Sequence, residues 1–246
     1  MTDEELFNLY TDRFFCGGEY KDYLADKKIL QKNFKLRFRA LQPFLERRHK
    51  SLFEIGSAYG FFLEVVRNHF DSVQGIDVHE RGARYADEHL GLDVIQGDFL
   101  QHDFGNEKFD VVCLWDTIEH LREPQLYLRK ISSHTESGAL IAITTGDVES
   151  PVARLRKQKW RLIHPPTHAH YFSTKTLTRL LDSHGFNVIY NRYCGFYRSV
   201  DSALYNILVL RHGKSRAYEL LQRSGAANFD FYLNLYDIMY VIARRR

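Results

Sequence analysis

A buried strand that runs directly into a turn with two glycines places the strongest limit on the fold of this chain. The strand occupies residues 51–55, and the sequence Glu54-Ile55-Gly56-Ser57-Ala58-Tyr59-Gly60 leads out of it. A second strand, at 73–78, carries Asp77 about twenty residues further on. In α/β proteins, such a turn lets backbone approach a ligand, and an acidic residue at the next strand end binds ribose. The two segments therefore predict a site for a nucleoside cofactor.

Short apolar strands alternate with amphipathic helices throughout the middle of the chain. The predicted strands are 51–55, 73–78, 93–96, 109–115 and 139–145, and the predicted helices are 60–70, 80–90 and 122–133. This alternation predicts an α/β fold with a doubly wound, mostly parallel sheet that has helices on both faces. Right-handed crossovers then bring the C-terminal ends of the parallel strands to one edge of the sheet.

The flanking segments are predicted to extend this domain. Residues 1–50 form an N-terminal helical extension or lid, with helical spacing between 24 and 45, and 51–246 form the main domain. The long polar connection 146–172 and the segment 192–235 are predicted to be insertions at a substrate site or at an interface. The remaining elements are a helix at 174–184, a strand at 186–190, a helical segment at 196–223 and a last strand at 238–243, and Tyr10, Tyr20 and Tyr23 are predicted lid contacts.

Composition excludes several classes of protein. The formal net charge of +3 does not call for a nucleic-acid partner, although local basic clusters exist. The three cysteines, Cys16, Cys113 and Cys194, are widely spaced, which argues against a disulfide framework and favours the cytoplasm. The acidic first residues do not resemble a signal peptide, and we expect no membrane span.

Four acidic residues, Glu54, Asp77, Asp98 and Asp116, fall near the ends of four consecutive predicted strands. With the glycine turn, the segments Gly75-Ile76-Asp77, Gly97-Asp98-Phe99 and Asp116-x2-Glu119-His120-Leu121 make the chain resemble the class I S-adenosylmethionine-dependent methyltransferases. It is most similar to the small-molecule group that includes ubiquinone-pathway and sugar methyltransferases. The segment from Trp160 to Gly185 also fits that group. The resemblance implies a seven-stranded Rossmann-like sheet, and S-adenosylmethionine as cofactor with S-adenosylhomocysteine as product.

The resemblance also implies a role for each motif residue. Glu54 would hold the ammonium group of the cofactor, Asp77 the ribose hydroxyls and Asp98 the adenine amino group. The other residues implied in cofactor binding are Gly56, Ser57, Ala58, Tyr59 and Gly60 at the methionine part, Val78 beside the ribose, Gly97 and Phe99 at the adenine, and Trp115 with Asp116 closing the methionine end.

Other cofactors and substrates fit the sequence less well. A nicotinamide site requires Gly-x-Gly-x-x-Gly, and Ala58 occupies the position of the second glycine. At the fourth strand, Asp116-Thr117-Ile118-Glu119 differs from the Asp/Asn-Pro-Pro-aromatic motif of base-amino methyltransferases, so nucleic acid is an unlikely substrate. The predicted acceptor is a small molecule that is methylated on a hydroxyl oxygen, with nitrogen or carbon left open.

Candidate groups for acting on that acceptor lie in the loops that follow the strands. His120 and His168 are the candidate bases or orienting residues, because histidine suits proton transfer near neutral pH. A basic cluster, Arg154, Arg156, Lys157, Lys159 and Arg161, suggests an anionic acceptor such as a nucleotide-linked sugar. His164, His168 and His170 lack a nearby acidic or cysteine ligand in the sequence, so no metal is expected. A homodimer stays open, and the alternative function is a cofactor-binding protein that acts through a partner without turnover.

Overall fold

The computed structural model describes residues 23–205, 208–209, 212–223 and 229–246. The lid contacts predicted at Tyr10 and Tyr20 lie outside these residues. Tyr23 is buried, and its ring stacks on Tyr59 and Phe61 with centroid distances of 5.4 and 5.5 Å. The beginning of the described chain therefore packs directly against the glycine turn.

A seven-stranded sheet forms the centre of the fold. All strands among the described residues, in chain order, are β1 (Ser51–Ile55), β2 (Ser72–Asp77), β3 (Asp93–Gln96), β4 (Val111–Trp115), β5 (Leu140–Gly146), β6 (Phe186–Tyr193), β7 (Phe196–Ser199), β8 (Asp230–Leu233) and β9 (Ile238–Arg245). Strands β7 and β8 lie outside the large sheet. The order in the large sheet is β3-β2-β1-β4-β5-β9-β6. Strands β1 to β5 are parallel, and β9 runs antiparallel to both β5 and β6. The predicted mostly parallel sheet is confirmed.

Helices follow most of these strands. They are α1 (Lys27–Leu41), α2 (Phe61–Val66), α3 (Glu80–Leu90), α4 (Pro124–Ser133), α5 (Pro151–Arg156), α6 (Thr174–Ser183), α7 (Val200–Leu204) and α8 (Ser215–Arg223), with short 3-10 turns at Gln42–Phe44, Ile118–His120 and Lys157–Lys159. Helix α3 begins where the His79 side chain accepts a hydrogen bond from the Gly82 amide, and it ends at Gly91, whose φ is 59°. No helix among the described residues is both long enough and apolar enough to cross a membrane.

The two faces of the sheet are covered by two apolar clusters. All five residues of β4 are buried, as expected for a central strand with helices on both sides. Alternation along β1 sends Leu52 into one cluster and Phe53 into the other. On the Leu52 side, Phe34 and Phe38 of α1 pack against Phe62 and Phe70. Helix α1 is therefore part of the core.

The helical prediction for 196–223 is wrong at its beginning. Residues 196–199 form β7, which pairs antiparallel with β8 in a separate two-stranded sheet. The Tyr197 amide and carbonyl both bond the side chain of Asn33 on α1, at 2.5 and 3.1 Å. These bonds satisfy backbone groups at an edge strand, which a single-sequence pattern cannot anticipate. The predicted helix 60–70 is also shorter than expected, and the connection 146–172 contains α5.

Candidate cofactor and acceptor site

The order of the parallel strands reverses between β1 and β4, which opens a crevice at their C-terminal ends. All four acidic residues of the predicted series lie at this edge. Glu54 is the fourth residue of β1 and Asp77 the last of β2, while Asp98 and Asp116 follow β3 and β4. The topology therefore gathers side chains that are far apart in the sequence.

Glu54 is a buried carboxyl group with an unsatisfied oxygen. Its side chain is 2% exposed, and Oε2 has no hydrogen-bond partner in the described part of the chain. Burial raises the pKa of Glu54 well above its usual range, and the Asp77 carboxylate adds to this increase. A buried acceptor of this kind fits a positively charged donor from a ligand.

Asp77 organises the loop around the crevice. Its Oδ2 accepts from the Ala58 amide at 2.7 Å, and its Oδ1 accepts from the His79 amide at 2.8 Å. Burial raises the pKa of Asp77, although these two amide donors oppose the shift. Each carboxylate oxygen has more than one acceptor direction, so the group can also take hydroxyl donors. Val78, its neighbour, is half-buried at the same strand end.

The glycine turn has a backbone shape that other residues cannot adopt easily. Gly56 has φ 77°, and a Cβ there would lie 2.7 Å from Thr117 Oγ1. Gly60 has φ 71° and lies directly before α2. Ala58 also has a positive φ, 47°, and its amide is held by Asp77. Ser57 is buried, and its Oγ has no hydrogen-bond partner among the described residues.

Of the predicted adenine-binding residues, Asp98 and Gly97 lie at the crevice, whereas the Phe99 side chain is buried in the core. Asp98 accepts from the Leu100 amide at 3.0 Å and from the Tyr127 hydroxyl at 2.9 Å. Gly97, with φ 154°, has nothing within 4 Å of the place where a Cβ would be, so the backbone is open there. Phe99 is only 3% exposed, and its ring packs in the core against Phe53, Phe104 and Tyr127. The ring face of Phe99 is therefore occupied by the core and is not open to a ligand.

Asp116 and Trp115, at the C-terminal end of β4, both contact Arg37, a residue that sequence patterns did not identify. Asp116 has φ 50°, and its Oδ1 accepts from Thr144 Oγ1 at 2.9 Å. Its Oδ2 accepts from the guanidinium of Arg37 on α1. The same guanidinium lies 5.6 Å from the Trp115 ring centroid, and the indole Nε1 is buried without a hydrogen-bond partner among the described residues.

The two candidate histidines meet in space. The ring centroids of His120 and His168 are 4.6 Å apart, and the rings are nearly perpendicular at 88°. His120 Nδ1 lies 2.9 Å from the Thr167 carbonyl and must carry the hydrogen, because a carbonyl only accepts. Burial lowers the pKa of His120, so its neutral form is favoured.

Glu119, which precedes His120, is a second buried carboxyl group. Its side chain is 5% exposed, and Oε2 has no hydrogen-bond partner in the described ranges. Burial and the neighbouring Asp116 raise the pKa of Glu119 to about 8. The backbone carbonyl of Glu119 accepts from the amides of Ala169 and His170 at 2.9 and 3.0 Å. These bonds fasten the connection 146–172 to the turn after β4.

The basic cluster divides into two parts. Arg161 pairs with Asp237 at 2.8 Å, and Trp160 Nε1 donates to the other oxygen of the same buried carboxylate at 2.9 Å. These contacts anchor the connection 146–172 to the beginning of β9. Arg154 and Arg156 on α5 are exposed, as are Lys157 and Lys159 in the 3-10 turn after it, so a ligand can reach all four.

The unsatisfied groups match the chemistry of S-adenosylmethionine. The ligand carries an ammonium group, a carboxylate, two ribose hydroxyls and an adenine amino group. Within the described part of the chain, the buried acceptors at Glu54 and Ser57 and the buried donor at Trp115 have no hydrogen-bond partner. The open backbone at Gly97 leaves room for a flat ring. The residues at the crevice therefore fit this cofactor.

Comparisons with known proteins agree with this chemistry. A family model described as "Methyltransferase domain" matches residues 27–191, which is more than half of the chain. The chain belongs to this methyltransferase family. Its cofactor is S-adenosylmethionine, and the family assignment supports an enzyme over the cofactor-binding alternative.

Solved structures of methyltransferases share the fold at low sequence identity. An S-adenosylmethionine-dependent methyltransferase from Thermotoga maritima has a TM-score of 0.60 at 17% identity, covering 98% of this chain and 99% of that chain. One from Archaeoglobus fulgidus has a TM-score of 0.60 at 17% identity, covering 91% and 99%. The magnesium protoporphyrin IX methyltransferase of Synechocystis PCC 6803, solved with bound S-adenosylhomocysteine, has a TM-score of 0.59 at 13% identity, covering 97% and 99%.

Proposed function

We propose that this methyltransferase methylates a hydroxyl oxygen of a small, anionic or sugar-linked molecule. The observation that carries the proposal is the meeting of His120 and His168 beside the end of β4. Two imidazoles next to the crevice are suited to removing a proton from a hydroxyl group. An amine that is already neutral needs no such help, which is why oxygen is favoured over nitrogen.

The cofactor would be held by the acidic series and the glycine turn. Glu54 would accept from the ammonium group, Asp77 from the ribose hydroxyls and Asp98 from the adenine amino group. The remaining contacts would come from Gly56, Ser57, Ala58, Tyr59, Gly60, Val78, Gly97, the Phe99 backbone, Trp115 and Asp116. When bound, S-adenosylmethionine supplies an electrophilic methyl group on a positively charged sulfur.

The chain's own residues would mainly position the acceptor and take up its proton. In-line positioning is worth up to about 7–11 kcal/mol in well-oriented reactions. His120 donates through Nδ1 to the Thr167 carbonyl, so its Nε2 has the lone pair that accepts a proton. His168, which lies edge-on to His120, would orient the acceptor hydroxyl. The buried surroundings of Trp115 exclude water from the methionine end.

Arg154 and Arg156 support the proposal of an anionic acceptor. Both are exposed on α5, the helix that precedes the His168 loop. If the acceptor is anionic, the double change Arg154→Glu and Arg156→Glu should raise KM at least about tenfold, the equivalent of about 1.4 kcal/mol, with little change in kcat. An unchanged KM would refute this part of the proposal.

The test of the function is a panel of paired acceptors. The panel would contain hydroxyl and amine compounds, each in an anionic and a neutral form, and mass spectrometry would locate the added methyl group. We expect O-methylated product and S-adenosylhomocysteine in equal amounts. Loss of the His120 base in His120→Gln should lower kcat by about 10²- to 10⁴-fold. Transfer only to nitrogen or carbon would contradict the proposal.

A matched control exists for the histidine change. His134 Nδ1 also bonds a carbonyl, that of Glu107 at 2.8 Å, but it lies near the beginning of β4, at the opposite edge of the sheet. His134→Gln should leave kcat unchanged. An equal loss in both variants would show that the effect comes from the fold and not from the site.

A further inference from the structure

A compact group of three potential metal ligands lies at the acceptor side of the crevice. Glu119 and His120 are consecutive in the 3-10 turn after β4, and His168 comes from the connection 146–172. One ligand atom from each side chain lies within 4.8 Å of the other two. Two imidazoles and one carboxylate at this separation match a common metal-binding set.

The backbone holds these three side chains together. Two amides of the His168 loop, those of Ala169 and His170, donate to the Glu119 carbonyl at 2.9 and 3.0 Å. On the other side, the Thr167 carbonyl accepts from His120 Nδ1 at 2.9 Å. The loop is thus fastened to the turn on both sides of His168. A site built in this way is arranged before any ion arrives.

The Glu119 carboxyl group lacks a partner that a cation would provide. It is 5% exposed, and Oε2 has no hydrogen-bond partner within the described part of the chain. A buried carboxylate oxygen without a partner is costly, and a cation between it and the imidazoles removes that cost. This unpartnered oxygen is an observation independent of the spacing of the three groups.

The orientation of His120 is also that of a metal ligand. Histidines that bind metals commonly donate the hydrogen of the other ring nitrogen to a carbonyl or carboxylate. The bond from His120 Nδ1 to the Thr167 carbonyl has this form, and it assigns Nε2 to the coordinating role. The perpendicular ring of His168, with its centroid 4.6 Å away, approaches the same space.

We propose that Glu119, His120 and His168 bind a divalent transition-metal ion that activates the acceptor hydroxyl. Imidazole nitrogens favour Zn²⁺, Co²⁺ or Fe²⁺ over Mg²⁺ and Ca²⁺, which prefer oxygen ligands. Three protein ligands leave coordination positions for an acceptor oxygen. Glu119 and His168 both line a small cavity, completed by Gly146, Trp160 and Tyr171 among others, into which these positions would open.

This inference rests on the proposed function and changes how the histidine pair acts. With an ion bound, His120 and His168 would hold the metal and not act as a direct base. The ion would lower the pKa of the acceptor hydroxyl so that its proton passes to water. The oxygen would then bond to the methyl carbon as the carbon–sulfur bond of the cofactor breaks, which leaves S-adenosylhomocysteine.

The proposed metal site also differs from the prediction made from the sequence, which considered His164, His168 and His170 as metal ligands and expected no metal. In the structure, His164 Nδ1 bonds Thr167 Oγ1 at 2.7 Å and His170 Nε2 lies 3.0 Å from the Arg122 carbonyl. The acidic ligand that the sequence seemed to lack is Glu119.

The experiment measures metal binding directly on tag-free, chelator-treated, full-length protein. Zn²⁺ binding is followed by calorimetry, and Co²⁺ binding by its visible absorption, whose intensity reports the coordination geometry. We expect one ion per chain. Glu119→Gln and His168→Asn should each weaken the affinity at least about 10- to 100-fold, because even the loss of an outer partner of a ligand has that effect.

Matched controls separate this outcome from unspecific binding and from failure of the function. His170→Asn, in the same loop, should bind Co²⁺ like the wild type. Affinity for S-adenosylhomocysteine, measured on every sample, verifies folding. Absence of stoichiometric binding, or equal binding by Glu119→Gln and the wild type, would overturn the metal site while methyl transfer could persist. Stoichiometric binding without transfer to any acceptor would support the site and refute the proposed function.

Discussion

Replacing Glu54 by glutamine should strengthen the folded protein and weaken cofactor binding at the same time. The wild-type carboxyl group is buried beside Asp77, and one of its oxygens has no partner among the residues that the structure describes, so ionising it in the ligand-free protein is unfavourable. The neutral amide removes that charge. The amide still has a polar atom without a partner among the described residues, so the gain is the cost of the charge alone, about 1.4 kcal/mol for each unit by which the pKa of Glu54 is raised. For a chain of this size, the gain corresponds to a rise in Tm of about 2–4 °C per kcal/mol.

The pH dependence of this gain follows from the raised pKa of Glu54. In the unfolded chain the group ionises near 4.5, whereas in the folded protein it stays protonated to a higher pH. Between these two pH values the folded state binds the extra proton, so the wild type loses stability as the pH rises. The difference in Tm between Glu54→Gln and the wild type should be small near pH 4.5 and should increase towards pH 8.

Cofactor affinity should move in the opposite direction. A hydrogen bond to a charged group contributes about 1.5–3 kcal/mol, so affinity for S-adenosylhomocysteine should fall about 10- to 150-fold. Thermal unfolding across pH and calorimetry measure the two effects, and the exposed Glu88→Gln is the control for both. The reasoning is refuted if Glu54→Gln is less stable than the wild type at pH 8 or if it binds the ligand equally well.

Two further predictions concern the turn and the N-terminal helix. Gly56→Ala should lose about 2–5 kcal/mol of stability, because the cost of a left-handed φ and the cost of a steric clash add together. Gly91→Ala has a similar φ of 59° but open space around its Cβ, so it should lose only about 1–2 kcal/mol. Equal losses of the two variants in denaturant unfolding would contradict this prediction. Arg37→Met should weaken S-adenosylhomocysteine binding several-fold. It should cost at most about 1 kcal/mol of stability, since its partner Asp116 is partly exposed. Calorimetry should find no change for the exposed Arg39→Met.

The central sheet could be predicted because its signals are local. Strands β1, β4 and β5 are short, mostly apolar runs, and the glycine turn and Asp77 occur within about twenty-five residues of one another. Parallel topology then requires the strand ends to share an edge. The family resemblance added a predicted role for each member of the acidic series.

Other features depend on contacts between distant parts of the chain. Arg37 lies in a helix rich in lysine and arginine, where one more cation looks like a solvated residue, and it meets Asp116 only after α1 packs on the core. The sequence of β7, with two adjacent aromatic residues, is compatible with either a helix or a strand. Its pairing with the distant strand β8 makes it a strand. Glu119 reaches His168 because its own backbone holds that loop.

Asp77 carries the identification of the crevice as the cofactor site. Asp77→Ala removes both carboxylate oxygens. Asp77→Asn keeps one oxygen that can accept from the Ala58 or the His79 amide, so the backbone of the turn should stay in place in this variant. We expect calorimetry on folded samples to give S-adenosylhomocysteine affinities at least about tenfold weaker for both variants, since each loses a charge-assisted hydrogen bond. Wild-type affinity in a folded Asp77→Ala protein would contradict the assignment of the ribose to this carboxylate.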